Sequence, residues 1–463
     1  MQRTAISWGD SKLRIGGLVL VLTLSVRAVP GEQNPPATPR DRVCSPPNYC
    51  ARTDRQPMPY PKDPPTLGPV GSIVTDPSFG SRIVRVTDAK TGNGESYSTP
   101  SSAEQNSWNS AGTSFYVLGR GGQIILYDFD PATMKPHARG GLRQPFGGEP
   151  EFSLVAPNLL YGTDRRADTF AQYDIATGRF TDLYSASKCM KLGSDDHVHG
   201  ISVSADDNRL ATAVGPQQDK NHVVMIYDRN QGCRWYDTQT GEIGGEWGPK
   251  GTVLSPERFL VHAMSISRSG KYIFFTRGNP SPGHFWLIWD VDTLKVALCP
   301  GKCKGHHVLG YNQMVASAEM GHPMELIIRP LDKLEQTMPL IGSLEPLKGY
   351  WYDSHFSWNN VDAEDSTPVC FSTYRPSNKP LQPPDVDGPW ENEIDCMSTD
   401  PEEPKIWRFA HTFSTAKNGF WSTPRGNVSR DGRFYAFTSD WEDQLGRGLK
   451  GDYRTDVFIV ELK

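Results

Sequence analysis

Seven times between Trp108 and Val428 the chain repeats one phrase: a short apolar strand, a turn rich in Ser, Asn, Asp and Gly, and a second apolar strand. Taking the apolar residue just before each turn as a marker gives Trp108 (WNSAG), Leu154 (LVAPN), Val203 (VSADDN), Ile266 (ISRSG), Leu309 (LGYNQ), Trp358 (WNNVD) and Val428 (VSRDG). Successive markers lie 46, 49, 63, 43, 49 and 70 residues apart. A period of roughly 40–50 residues with about four short strands per unit is the signature of a β-propeller, whereas helical repeats would show a 3.6-residue apolar period that is absent here. The chain is therefore read as all-β, a seven-bladed β-propeller, with insertions in the two long intervals. Its 44 Gly, 38 Pro and 12 Trp, 17 Tyr and 19 Phe suit turns and strands better than helices.

Inside the units, FYVLGRGGQIILYDFD carries a Gly-Gly turn between two strands, and KYIFFTRGNPSPGHFWLIWDVDT a longer Gly/Pro loop at the same place. YDFDPAT, YDIATG, YDRNQG and WDVDT then supply Asp turns into the outer strand. The last unit ends at DVFIVELK and lacks an outer strand, while SRIVRVTDAKTG at 81–92 is a strand with no unit of its own. Pairing the two closes the ring by an N-terminal strand. Closure removes the lateral sheet edge that would invite aggregation, so a monomer is expected.

Residues 1–28 join Arg3, Lys12 and Arg14 to the twelve-residue run IGGLVLVLTLSV and a small-residue site at Ala28, the layout of a signal peptide. The run is too short to span a bilayer comfortably. We expect export, to a secreted or periplasmic location, with no membrane span after cleavage. The eight cysteines agree: they fall in local pairs, Cys44/Cys50, Cys189/Cys233, Cys299/Cys303 and Cys370/Cys396, as loop-closing disulfides do in an oxidising compartment. Residues 29–75 are dense in proline and read as an arm or linker, leaving 76–463 for the propeller. A projecting loop is expected at about 375–420. The net charge of −5 becomes −8 once residues 1–28, with four basic side chains and one acidic, are removed. That sign provides no electrostatic footprint for nucleic acid or anionic lipid.

Histidine carries the functional signal, since it can exchange a proton near neutral pH or bind a divalent cation. Five of eleven lie two to four residues before a blade marker: His199, His262, His306, His307 and His355. Those positions open the innermost strand of a blade, next to the central channel. Residues three and four before a marker point to opposite sides, so convergence of all five is not required by the pattern.

The segments VHAMSISRSGKYIFFTRG, KGHHVLGYNQMV, DSHFSWNN and RGNVSRDGRFYAFTSD, with DVFIVEL, resemble the oligogalacturonate lyases and, more loosely, the TolB-like propellers. The resemblance covers roughly residues 260–463. It implies cleavage of an acidic polysaccharide or oligosaccharide by β-elimination, with a divalent cation, typically manganese, and a histidine base. Residue by residue it implies His262 as base and His306 and His355 as metal ligands; by their position before a blade marker, His199 joins the catalytic candidates and His307 the metal candidates. The family draws Gln and two His from one blade, whereas GYWYDSHFSWNN has only His355, so Asp353 would have to contribute.

Chemistry alone asks for the same parts. Removing the proton next to a uronate carboxylate requires that carboxylate to be neutralised, by metal or by Arg/Lys, and a base within hydrogen-bond reach. Arg425, at the strand start of the last unit, is a candidate clamp because guanidinium bonds carboxylate bidentately. Tyr350, Trp351 and Tyr352 form an aromatic run suited to stacking on sugar rings. The sequon at Asn427 sits at a strand entry and is a poor glycan site, GRGG at 119–122 has no following helix and so cradles no phosphate, and no GxSxG occurs. Two readings stand: an exported polysaccharide lyase, or a non-catalytic propeller that binds a protein or carbohydrate partner.

Overall fold

A computed structural model describes residues 44–91, 94–142, 146–164, 166–217, 220–253, 258–277, 286–301, 305–317, 325–341, 353–374, 388–417, 419–449 and 451–463. The expected signal peptide, Cys303 and Tyr350–Tyr352 fall outside these residues, as do 375–387 of the loop expected at about 375–420; the rest of that stretch is not a projecting loop, because Glu393–Met397 and Ile406–His411 are the two outer strands of blade six. Seven antiparallel sheets form the seven blades. The chain runs in order through each of six of them, from inner to outer strand. Blade one pairs Trp108 with Phe115 and continues through Ser114–Leu118, Ile124–Asp130 and Lys135–Gly141. Blade two comprises Glu151–Phe152, Leu159–Asp164, Thr169–Asp174 and Arg179–Ser185. Blade three starts at His197–Val203 and adds Glu242–Gly245 and Gly251–Thr252 to the usual four strands, which accounts for the 63-residue interval. Blades four, five and six open with Val261–Ile266, His307–Leu309 and Asp353–Ser357.

Blade seven is built from both ends of the described chain. Gly426–Val428, Phe434–Ser439 and Asp456–Glu461 are followed in the sheet by Arg82–Arg85 and then Ile73–Thr75. Ile83 faces Val460 and Val84 faces Ile459, so the strand expected at 81–92 does close the ring, although only four of its residues are extended and the closing sheet begins earlier, at Ile73.

Each sheet is covered on both faces, which is why its strands read as continuous apolar runs instead of alternating. The core is correspondingly a ring of seven separate patches, each between neighbouring blades. Phe434, Ala436, Val457 and Ile459 of blade seven meet Trp108, Phe115 and Val117 of blade one, and Tyr272 and Phe274 of blade four meet Leu309 and Met314 of blade five.

The turns follow from side-chain chemistry. Ser204, Ser267 and Ser429 each accept at Oγ from the backbone N–H five residues on, at 2.9, 3.0 and 3.0 Å. In two of these turns a glycine takes the left-handed position, Gly270 at φ 73° and Gly432 at φ 71°. Asp130, Asp174 and Asp228 accept from the backbone N–H two residues on, closing the turns into the outer strands. Cys44–Cys50, Cys189–Cys233 and Cys370–Cys396 are disulfide-bonded, as their spacing led us to expect. No helix among the described residues is long and apolar enough to cross a membrane.

The described part of the proline-rich arm lies along blades six and seven. Tyr49 donates to the Gly432 carbonyl at 2.8 Å, Arg408 reaches the carbonyls of Asp54 and Gln56 at 3.1 and 2.7 Å, and Trp441 Nε1 donates to the Pro65 carbonyl at 2.8 Å. Across the closure itself sits Asp456, fully buried, gripped by Arg85 at 2.6 Å, Arg454 at 2.5 Å and the Thr87 hydroxyl at 3.1 Å. Removing one cation from a buried pair leaves a carboxylate short of its compensation. We expect Arg85→Ala to lower unfolding free energy by about 3 kcal/mol in denaturant titrations. A change within the range of ordinary surface substitutions would show that closure does not depend on this cluster.

Candidate functional site

The segment before blade one and the inner strands of blades two to five line a cavity of about 140 Å³, with His199, His262, Glu104, Glu151 and Arg268 among its walls. His262 is exposed there, on the second residue of its strand. His199 is partly buried, and its Nε2 donates to the Gly215 carbonyl at 2.9 Å. Glu104 comes from the segment that leads into blade one, and Asn427 fixes that segment by donating to the carbonyls of Ala103 and Gln105 at 2.8 and 2.7 Å. Asn427 is 1% exposed, consistent with its reading as a poor glycan site.

From Glu104 a chain of polar contacts crosses toward blade six. Glu104 Oε2 lies 3.4 Å from His307 Nε2. His307 is packed on Phe274 and Trp286, with ring centroids 4.0 and 5.0 Å away. Burial pushes Glu104 up to about 8, against the pull of His306, and pushes His307 down to about 3, helped by the neighbouring charge of His306. Near neutrality this contact is therefore mainly a protonated carboxyl facing a neutral imidazole, a polar contact and no ion pair.

His306 faces the other way. Its Nδ1 stands 2.9 Å from Asp353 Oδ1, and Asp353 also accepts from the Tyr374 hydroxyl at 2.9 Å. The crowding of protein atoms pulls His306 down, but Asp353 more than offsets it and holds the imidazole above its ordinary value. For Asp353 burial acts upward, and the His306 bond and charge outweigh it, leaving the carboxyl well below the usual range. The His355 ring lies 4.4 Å from that of His306 and stacks on Tyr374 at 5.4 Å and 11°. Burial first, then the charge of His306 and of Arg425, hold His355 well below the ordinary imidazole value.

Arg425 is fully buried at the start of blade seven. Its Nη1 donates to the Phe420 carbonyl, and its guanidinium carbon lies 4.1 Å from the Phe420 ring centroid and 5.0 Å from that of Trp421. Nε and Nη2 have no hydrogen-bond partner among the described residues. Elsewhere in the protein that same Nε/Nη2 edge grips a carboxylate with two bonds, Arg82 on Glu461 at 2.7 and 2.9 Å and Arg408 on Glu393 at 2.8 and 2.6 Å. Burial pushes Arg425 down to about 10, with Glu149 acting in the opposite sense, so it stays charged at neutral pH.

The backbone at Arg425 borders the segment that lines the cavity. Thr99 Oγ1 donates to the Arg425 carbonyl at 2.7 Å, and Ser101, two residues on, already lines the cavity of His199 and His262. The backbone N–H of Ser101 also donates to Glu149 at 2.9 Å.

The expected metal set does not assemble. His306 turns to Asp353 and His307 to Glu104, as adjacent residues at the start of an extended strand must point to opposite faces. Among the described residues no three His, Cys, Asp or Glu side chains converge as metal ligands. The sequence reading passed over Glu104, Tyr374 and the exposed pair Phe420–Trp421. Only the last had a local signal, two adjacent large aromatics in the polar stretch KNGFWSTPRG.

No protein-family description matches the chain, and no curated protein does. Solved structures do match. An oligogalacturonate lyase in complex with manganese aligns with a TM-score of 0.52 at 12% identity, covering 89% of this chain and 98% of that one. An oligogalacturonate lyase from Vibrio parahaemolyticus aligns with a TM-score of 0.50 at 10% identity, with the same coverages. At such identities the likeness establishes the propeller fold.

The His306–Asp353 pair has a measurable signature. Because His306 is raised, its contribution to stability is complete below the unfolded imidazole value, roughly 6.5, and fades as pH rises through the folded value. Because Asp353 is depressed, its contribution is complete above the unfolded carboxyl value, roughly 4, and fades as pH falls through the folded one. Asp353→Asn is expected to drop the His306 midpoint below the ordinary imidazole value in an NMR titration. The stability gap to the parent should be widest at mildly acidic pH. An unmoved midpoint would refute the pairing.

Proposed function

We propose that the protein is an exported polysaccharide lyase that cleaves a uronate-containing chain by β-elimination. The observation that carries this reading is the free Nε/Nη2 edge of Arg425, a buried cation shaped for a carboxylate and joined by the Thr99–Ser101 segment to a cavity bearing two imidazoles. Support for export comes from the disulfides and from the signal-like segment at 1–28.

In this reading the uronate carboxylate docks on Arg425. Two charge-assisted bonds withdraw electron density from the carboxylate and stabilise the enolate-like charge that develops when the neighbouring C–H proton leaves. His262, accessible in the cavity, takes that proton. The electron pair forms the new carbon–carbon double bond and expels the glycosidic oxygen, which must gain a proton. Glu104, protonated near neutrality and lining the same cavity, supplies it. Manganese accompanies a solved lyase of the same fold, but with His306 and His307 facing opposite ways no step here is routed through a metal.

The test is direct. The mature protein, incubated with uronate polymers with and without manganese, should generate the ultraviolet absorbance of a conjugated unsaturated uronate. Arg425→Lys should lower the rate by about 10²–10³, the usual consequence of losing an oriented donor to developing charge, and His262→Ala should abolish it with the fold intact. If no polymer gives an absorbance rise under any condition, the lyase reading fails and a binding propeller takes its place.

A further inference from the structure

Phe420 and Trp421 stand out on the described surface. They are 46% and 55% exposed, adjacent in sequence, and carried by the one-turn 3-10 segment Gly419–Ser422. Their rings are nearly perpendicular, with centroids 5.3 Å apart at 80°, and Phe420 also presents its edge to His355 at 6.3 Å. Water contact on two large aromatic rings is unfavourable, and here the exposed rings lie directly over a buried guanidinium that has two donors without partners among the described residues.

We propose that Phe420 and Trp421 form a stacking platform for a pyranose ring whose carboxylate enters the Nε/Nη2 edge of Arg425. This rests on the reading of Arg425 as a uronate clamp and adds the residues that hold the sugar itself. The chemistry is complementary at each point. The apolar C–H face of a pyranose fits an aromatic face, the carboxylate fits the side-on fork, and the two recognition elements are only 4–5 Å apart. A neutral sugar would satisfy the rings and leave both guanidinium donors unmet. An acidic ligand without a flat apolar face would satisfy the fork and leave the rings in water.

Arg425 has no exposed surface, so the carboxylate reaches it only when the turn above it shifts. The shift would exchange the bonds that the Phe420 carbonyl accepts from Thr423 and Arg425 for the bonds of the incoming carboxylate. Gly419 opens the turn at φ 66° with nothing within 4 Å of where a side chain would begin, and Phe420 and Trp421 project outward without packing on the blades' apolar patches. Binding should therefore alter the surroundings of the Trp421 indole.

The experiment is equilibrium binding to the full mature protein, read by tryptophan emission and by calorimetry. The probes are a soluble uronate oligomer, its methyl ester and its carboxyl-reduced form. Trp421→Ala and Phe420→Ala should each weaken binding of the uronate oligomer about tenfold, the range expected for one aromatic contact, with folding of each variant checked by circular dichroism. The ester and the reduced oligomer should bind the parent protein at least about tenfold more weakly than the acid. Arg425→Gln, checked for folding by circular dichroism, should erase that preference. Binding of the acid that is unaffected by either aromatic truncation would overturn the proposal. So would equal affinity of the parent for acid and reduced oligomers. Because no turnover is needed, expected binding without any unsaturated product would remove the lyase reading and leave the platform standing. Normal product formation by both truncations with parental affinity would do the reverse.

Discussion

Everything in this protein hangs on the pairing of Arg82–Arg85 with Asp456–Glu461. Six blades are made of chain that follows itself locally, and each could form its hairpins without reference to the others. The seventh cannot, because its outer strands precede the rest of the propeller and its inner strands follow it. Only when they meet does the patch between blades seven and one bury Trp108, Phe115 and Phe434, and only then is the ring closed. The arm reinforces the junction: Tyr49 packs on Trp407 and Phe409 of blade six and bonds to Gly432 of blade seven. A closed ring fixes the angular place of every inner strand, which is how residues as distant in sequence as Glu104 and His307 come within 3.4 Å of each other.

Around that contact, low polarity sorts the charges. Glu104 and His307 are both pushed toward their neutral forms, while one residue away His306 and Asp353 are held in their charged forms by each other. Two pairs of the same chemical types thus end in opposite states. The difference is the direct partner: Asp353 is bonded to a histidine held in its charged form, whose bond and charge outweigh burial, whereas Glu104 meets a neutral ring clamped between Phe274 and Trp286 and burial prevails.

The scaffold was legible from sequence because its signals are local and repeated. Turn chemistry such as SRSG and SRDG works through bonds spanning five residues, and those bonds are present. The closing strand was legible by elimination, one strand without a blade and one blade without a strand. The site was legible only in part. Position before a marker placed His199 and His262 on the cavity, because that position is a property of the repeat. It did not say that His306 and His307 would serve different neighbours, since side-chain direction at a strand entry depends on where extension begins, and here it begins at His307. Glu104 and the Phe420–Trp421 step lie outside the repeat, in a segment leading into blade one and in the long stretch between blades six and seven. No period could mark them.

Arg425 is where fold and chemistry part company. Arg234, Arg329, Arg408 and Arg425 are all fully buried, and burying a guanidinium is costly where its donors go unmet. Arg408 shows the structural solution: every nitrogen engaged, by Glu393 on one edge and by the arm's carbonyls on the other. Arg425 has the stacking rings and one carbonyl but not the carboxylate, and Glu149, an acid whose charge acts on it, accepts from the Ser101 backbone N–H instead. Arg234 is buried without an acid, but there Nη1 and Nη2 are both met, by the carbonyls of Trp247, Pro249 and Thr293, whereas in Arg425 neither Nε nor Nη2 has a partner among the described residues. An arginine left with its carboxylate edge open, at the start of an inner strand and beneath exposed aromatic rings, is better explained by a carboxylate that arrives from outside.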